Sequence, residues 1–322
     1  MDYGSTIEIA KEVKQLVNSY DFVDHVYSYT QYQPWNKCRA LNMVIKNLEN
    51  EYCFVADVDL LFSPEFIAKL HEVKDPNIAT YFQVGYLSEQ ESKKDLTFKE
   101  YVPKFLSTNE ATGLTLFPVR KLKEVNGFDE FFHFWGAEDT DMHHRLRNLG
   151  MPVVFHDQDL LILHQWHMSF LNQTKRDFSK EFVLTDIEHL NHAHKDKNKE
   201  LRVTKVNPDG WGERVSESDF IDLKEQEITL EITNSITDID HLIHSLLPSW
   251  KDQYIALRIT DAKVITLKNE VKKILGKKID RYYDMHKVND LLLMQLIAHY
   301  RNKNYIYEVS EDARTITLKI KL

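Results

Sequence analysis

Tyr52-Cys53-Phe54-Val55-Ala56-Asp57-Val58-Asp59 is an apolar run that ends on two carboxylates, and its reading decides the fold. Tyr52 to Ala56 reads as a short buried strand. Asp57 and Asp59 are two residues apart, so strand geometry sends both side chains to one side. They stand at the strand terminus, where open α/β sheets form their ligand crevice. Two hard oxygen donors in that place suit a divalent cation shared with substrate phosphates. The plainer alternative is an acidic turn capping the next helix, because an isolated Asp-x-Asp is common.

Working outward, strands and helices alternate. Upstream, the apolar positions predict a helix over Trp35 to Leu48, a strand over Phe22 to Tyr29, and a helix from Ile7 to about Tyr20 opened by a Ser5-Thr6-Ile7-Glu8 capping box. Downstream, Ser63-Pro64-Glu65 supplies a serine cap and a first-turn proline for a helix to about Val73. A strand follows over Ile78 to Val84, and Ser88 to Lys104 is a polar surface excursion. Next come a strand over Thr112 to Phe117, a helix over Arg120 to Val125 and a turn at Asn126-Gly127. A helix over Asp139 to Leu149 ends at Gly150, and strands run over Val153 to Phe155 and Leu160 to Leu163. Beyond residue 175 the chain turns strongly charged, with Lys195 to Lys199 as a solvated run. The last third alternates again: strands at Ile228 to Ile232, Tyr254 to Ile259, Tyr305 to Val309 and Thr315 to Ile320, and helices at Ile239 to Leu247 and Asn289 to Tyr300. The fold class expected is α/β in two domains, 1–200 and 215–322, the second a smaller accessory domain of unassigned role.

Two further clusters carry chemistry. In Trp135-Gly136-Ala137-Glu138-Asp139-Thr140-Asp141, three carboxylates crowd a helix start. The helix N-terminus favours their ionised forms, so one of them can accept a proton from a hydroxyl. Capping alone would also explain them, but Trp135 and the small residues beside it provide the flat face and close backbone approach that a sugar needs. In Leu163-His164-Gln165-Trp166-His167, His164 either completes an Asp/Asp/His cation site or is a hydrogen-bonded core histidine.

Composition narrows the classes. With 322 residues, 43% hydrophobic and 28% charged, the chain can bury a sizeable core and disorder is not expected. A net charge of −9 with scattered Lys and Arg argues against a nucleic-acid partner, and makes a bound cation the source of local positive charge for a phosphorylated substrate. Cys38 and Cys53 are too few for a disulfide framework. The start carries no signal-peptide pattern and no apolar run approaches bilayer length, so the expectation is a cytoplasmic protein without a transmembrane segment, with peripheral membrane association left open.

Taken in order, Tyr52 to Asp59, Asn126-Gly127-Phe128-Asp129-Glu130, Phe134 to Asp139 and His164 resemble the signature of family 2 glycosyltransferases with a galactosyltransferase-type C-terminal motif. Chondroitin-polymerase-like and β-1,4-galactosyltransferase-like enzymes share that signature. The resemblance covers about residues 2 to 170 and implies a GT-A fold, a Rossmann-like mixed sheet flanked by helices. It implies an inverting, metal-dependent transfer of a hexose or N-acetylhexosamine from a UDP-sugar to a hydroxyl of an oligo- or polysaccharide acceptor, as in polysaccharide biosynthesis. Carried over by position, Asp59 and His164 ligate Mn²⁺ or Mg²⁺, and Asp57 assists the metal or holds the ribose. Asp139 is the general base, Glu138 orients the acceptor, and Trp135 stacks near the sugar. Arg39 and Asn42, in Asn36-Lys37-Cys38-Arg39-Ala40-Leu41-Asn42, face the donor, and Asp2, in Asp2-Tyr3-Gly4-Ser5, contacts the nucleoside. In the family that last turn follows a first strand, a helix and a second strand. The expectation is therefore either a misplaced start or a chain truncated at its N-terminus, the latter with donor affinity and activity reduced. Two rival readings are a non-catalytic subunit that binds sugar nucleotide or glycan, and a structural zinc protein using His143, His144, His164 and His167.

Overall fold

The computed structural model describes residues 1–168, 184–262 and 281–322. The chain forms two compact units: Met1–Asn36, Lys175–Ile187 and Glu213–Leu322 make one, Lys37–Thr174 and Glu188–Gly212 the other. These ranges differ from the expected 1–200 and 215–322, because the first residues pack with the C-terminal part. The Tyr29 and Tyr32 rings lie 5.8 Å and 5.9 Å from that of Phe220, and Gln33 donates from Nε2 to the Tyr305 carbonyl at 3.0 Å. Aromatic contacts and a buried amide bond of this kind outweigh nearness in sequence.

The unit from Lys37 holds two four-stranded sheets. The first has the order β1 (Tyr52–Phe54), β6 (Thr115–Pro118), β3 (Ala79–Phe82), β7 (Val153–His156), antiparallel except for the parallel β3/β7 pair. The second runs β2 (Leu60–Phe62), β8 (Ile162–His164), β4 (Val84–Tyr86), β5 (Phe105–Leu106), with β8/β4 parallel. The single strand expected over Ile78 to Val84 is therefore two strands in different sheets. The chain changes sheet at Gln83, whose amide N–H donates to the His156 carbonyl and whose Nε2 donates to the Ser107 carbonyl. Side-chain periodicity does not register that change, because apolar residues continue across it.

Helices α2 (Lys37–Ile45), α5 (Val119–Glu124) and α6 (Glu138–Asn148) bury Cys38, Leu122, Met142 and Leu146 in one core with Val55, Ala79 and Phe117. α3 (Phe66–Val73) closes a second core in which the Phe66 ring meets Phe54, Phe62 and Phe82. Ser63 does not cap α3 as expected: its hydroxyl takes the Glu65 amide in a turn that precedes the helix. α4 (Glu89–Ser92) lies within the polar excursion. The charged stretch read as solvated is the helix α7 (Ile187–Glu200), whose Lys and Asp residues share it with a buried Asn191 and Asn198.

In the other unit, β9 (Leu230–Thr233) pairs in parallel with β10 (Tyr254–Thr260), and β12 (Thr315–Lys321) lies between β10 and β11 (Tyr305–Val309) in antiparallel register. Ile316, Leu318 and Ile320 alternate inward along β12, as a half-buried strand requires. α8 (Glu217–Lys224), α9 (Ile236–His241) and α10 (Met285–Gln295) complete the unit. α1 (Ile7–Val17) is capped by Thr6, which accepts the Ile9 amide, and not by the expected Ser5 box. The strand expected over Phe22 to Tyr29 reduces to one bridge between Asp2 and Tyr27, since residues 21–24 are exposed and have no sheet to join. Among the described residues no helix is long and apolar enough to cross a membrane.

The Asn126-Gly127 turn is present, with both residues left-handed at φ 59° and 70°. A Cβ at Gly127 would overlap Asn42 Oδ1 and lie 2.9 Å from Trp211 Cε3. Gly127→Ala is therefore expected to cost about 2 kcal/mol or more, from backbone strain and overpacking together. Urea unfolding measures it, and a cost under about 0.5 kcal/mol would show that the turn relaxes freely.

Candidate active site

The β2/β8 pairing assembles the first part of the site. In that register Leu60 faces His164, and the Gln165 amide donates to the Asp59 carbonyl at 2.9 Å, so Asp59 and His164 are held side by side. Asp59 Oδ2 is 3.5 Å from His164 Nε2 and 3.1 Å from His167 Nε2. Among the described residues, these three form the one cluster whose donor atoms lie close enough together to hold an ion. Asp59 Oδ1 is buried without a hydrogen-bond partner in this structure, a costly state for a carboxylate oxygen unless a cation or a donor meets it. One carboxylate oxygen and two imidazole nitrogens fit a first-row divalent metal, Mn²⁺ or Zn²⁺ better than Ca²⁺. The Tyr86 ring packs 4.9 Å from that of His164 and orients it.

Asp57, expected on the same side as Asp59, turns elsewhere. β1 ends at Phe54, so residues 57–59 are no longer strand and need not alternate. The Asp57 carboxylate lies 3.1 Å from Lys37 Nζ, and the same ammonium is 3.5 Å from Asp139 Oδ2 and 3.9 Å from Glu138 Oε1. Lys37 is the first residue of α2, and Glu138 and Asp139 open α6, so two helix starts meet at one cation. Burial works against the Lys37 charge, but the three carboxylates outweigh it and hold its pKa above the ordinary lysine value.

The expectation that the helix start keeps its carboxylates ionised at neutral pH is corrected for Glu138. Burial and the neighbouring Asp139 charge push its pKa up to about 7, against the opposing pull of Lys37. Just before the pair the backbone is left-handed at Phe134, Gly136 and Ala137, with φ of 63°, 107° and 73°. That turn leaves Trp135 44% exposed, a flat face open to solvent next to the carboxylates.

The remaining expected residues fall into different places. Asn42 is fully buried: its Nδ2 donates to the Phe128 carbonyl and to Glu130 Oε1, at 2.8 Å and 2.9 Å, and its Oδ1 takes the Phe128 amide. It holds the 126–130 segment and has no spare donor to turn outward. Arg39 is buried, at 1% exposed. Asp2 belongs to the other compact unit, where Oδ1 takes the Ser5 amide at 2.9 Å and Oδ2 lies 3.3 Å from His25 Nε2. Of the four histidines of the zinc rival, His143 bonds Thr115 Oγ1 at 2.9 Å, and burial lowers its pKa to about 3. His164 and His167 alone join the cluster.

Sequence reasoning named His167 only in the rival zinc reading and Lys37 only within the helix start that carries Arg39 and Asn42, and gave neither a role in the transferase site. His167 had a signal in the His-x-x-His spacing; Lys37 had none beyond its place at a helix start.

Over residues 93–167 the chain matches the family model described as the N-terminal domain of galactosyltransferase. That span includes Trp135, Glu138, Asp139, His164 and His167. Two solved structures are similar at low identity. One is GalNAc-T7 with UDP, GalNAc and Mn²⁺, 13% identical over 61% of this chain and 41% of that one, with a TM-score of 0.43. The other is TarS 1–349 from S. aureus in complex with UDP-GlcNAc, 11% identical over 96% of this chain and 84% of that one, with a TM-score of 0.36. This chain thus spans less than half of the GalNAc-T7 structure.

The Glu138 shift predicts a pH dependence. Its folded pKa of about 7 lies above the ordinary glutamate value of 4.5, so between those pH values the folded state binds the extra proton and stability falls as pH rises. Glu138→Gln should leave stability relative to wild type flat below about pH 4.5, raise it progressively to about pH 7, and hold the gain above that, at about 1–3 kcal/mol. Melting temperatures of both proteins from pH 4 to 9 test this; a difference that does not vary with pH would refute it.

Proposed function

We propose that this chain is a glycosyltransferase of GT-A type that transfers a hexose or N-acetylhexosamine from a UDP-sugar to a glycan hydroxyl, with inversion and with a divalent cation. The observation that carries the reading is the joining of the two clusters by Lys37. This ammonium ties Asp57, two residues from the Asp59/His164/His167 donor set, to the Glu138–Asp139 pair. Donor phosphates need the first cluster and an attacking hydroxyl needs the second, so one bond-forming event fits between them. The family match over residues 93–167 supports the same reading.

Asp59, His164 and His167 would hold the cation, which when bound offsets charge on the departing diphosphate. Asp139 accepts the proton of the acceptor hydroxyl as that oxygen attacks the anomeric carbon, and Glu138 accepts or donates a hydrogen bond to position it. Trp135 offers its ring face to a sugar. A single displacement inverts the anomeric centre and needs no enzyme nucleophile. The raised pKa of Glu138 favours a second assignment, in which Glu138 takes the proton, since an efficient base has a pKa near the working pH.

Two measurements test the reading. Asp59→Ala and His167→Ala should each weaken Mn²⁺-dependent UDP binding by about tenfold or more, as loss of one ligand from a small donor set does. Titration calorimetry with UDP, with and without Mn²⁺, reads this, and unchanged affinity in both variants would exclude the cluster as the cation site.

Asp139→Asn keeps the shape of the side chain and should leave UDP and Mn²⁺ binding intact while lowering kcat by about 10²–10⁴-fold, across a panel of UDP-sugars and glycan acceptors. Full turnover by the Asn variant would pass the role to Glu138. Binding of UDP without transfer or donor hydrolysis by wild type would support the non-catalytic subunit instead.

A further inference from the structure

Helix α7 lies outside the family match and has no role in the site as set out above. Asn191, His194 and Asn198 recur along it at spacings of three and four, so they share one face, and Asn191 and Asn198 are buried. Asn191 and His194 reach the segment that leads into the carboxylate pair, and Asn198 reaches Asp141 just beyond it. Asn191 Nδ2 donates to the carbonyls of His133 and Trp135, each at 3.0 Å. His194 Nε2 is 2.8 Å from Asp129 Oδ2, and its ring stacks on Phe131 with centroids 4.0 Å apart. Asn198 Nδ2 donates to Asp141 Oδ1 at 2.9 Å, while Asp141 Oδ2 takes Arg145 Nε at 2.7 Å.

The segment being held does not hold itself. Phe134 and Ala137 are left-handed without being glycine, a conformation that persists only where surrounding contacts impose it. Ala137 is the N-cap of α6 and offers no side-chain cap. The two carbonyls to which Asn191 donates flank Phe134, the first of the strained residues. Asn191 Oδ1 is buried and has no hydrogen-bond partner among the described residues, so the two donor bonds alone orient the amide. A flip would set its oxygen against two carbonyl oxygens.

We propose that α7 is a strut, and that Asn191 is a positioning residue which locks the strained His133–Ala137 turn and so fixes where Trp135, Glu138 and Asp139 point. Asn191 acts through the turn and touches neither donor nor acceptor. The effect on turnover rests on the glycosyltransferase reading; the mechanical effect on the turn does not.

Asn191→Asp keeps the size of the side chain and removes both donors. Hydrogen exchange followed by mass spectrometry should show amides of 133–139 exchanging about tenfold faster or more in the full-length variant. kcat should fall by about 10- to 100-fold, the scale of a misplacement near 1 Å, while Mn²⁺ and UDP affinity stay at the wild-type values, because Asp59, His164 and His167 lie in or next to the β2/β8 pair and outside the turn. Lys197→Ala, on the exposed side of the same helix, should change neither quantity. If the Asp variant does not fold, Asn191→Ser gives the same exchange readout. Wild-type exchange across 133–139 in a folded Asp or Ser variant overturns the strut, and faster exchange with unchanged kcat overturns its catalytic role. Absence of transfer by wild type would count against the function reading and leave the exchange result to decide the strut.

Discussion

The Lys37 ammonium sets the electrostatics of the carboxylate cluster. Asp57, Glu138 and Asp139 all lie within 4 Å of it, two of them on the first turn of one helix and the third on a loop from a different part of the unit. At that separation an ammonium attracts a carboxylate by about 4 kcal/mol at an effective dielectric of about 20, so Lys37 offsets much of the mutual repulsion of the three carboxylates gathered around it. One ammonium does not neutralise three. The remainder appears as the raised pKa of Glu138, whose neutral form relieves burial and the repulsion from Asp139 together. Asp59 stands apart from this balance, with its own histidines and one unmet oxygen.

Much of this arrangement was legible in the residues. The Asp57-Val58-Asp59 run, the Glu138-Asp139 pair and His164 were placed in one site, and the structure gathers them in one unit. The Asn126-Gly127 turn and the α6 boundaries were readable because glycine and an acidic first turn have local causes. The direction of Asp57 was not readable. Strand alternation holds only while the strand lasts, and β1 stops before the first aspartate. The break at Gln83 was hidden for a related reason: a change of sheet leaves the apolar pattern unbroken. Helix α7 was concealed by composition, since two of its buried residues, Asn191 and Asn198, are polar and break the apolar period. The packing of the first 36 residues with the C-terminal part depends on contacts across some 190 positions, such as Tyr32 with Phe220, which no local pattern encodes.

Buried asparagines do work here that apolar side chains do elsewhere. Asn42, Asn191, Asn198 and Asn207 each satisfy carbonyls or carboxylates in the 126–141 stretch, and a buried amide that meets fixed partners selects one backbone path over its neighbours. The stretch contains strained and charged residues together, so a packed apolar interior would not specify it.

Asn207 and Gly212 also bear on how this unit can be handled as a separate piece. Asn207 takes the Glu130 amide with Oδ1 and donates to the Asn126 and Phe128 carbonyls, the Gly212 amide donates to Glu130 Oε1 at 2.6 Å, and Trp211 packs on the core beside α2 and α6. A fragment ended at residue 200, where the helical residues run out, would strip these partners from Glu130 and open the core at Trp211. An expression boundary drawn for this half of the molecule therefore belongs after Gly212, and one drawn at the end of α7 would yield an insoluble or frayed product with every side chain of the candidate site still in its sequence.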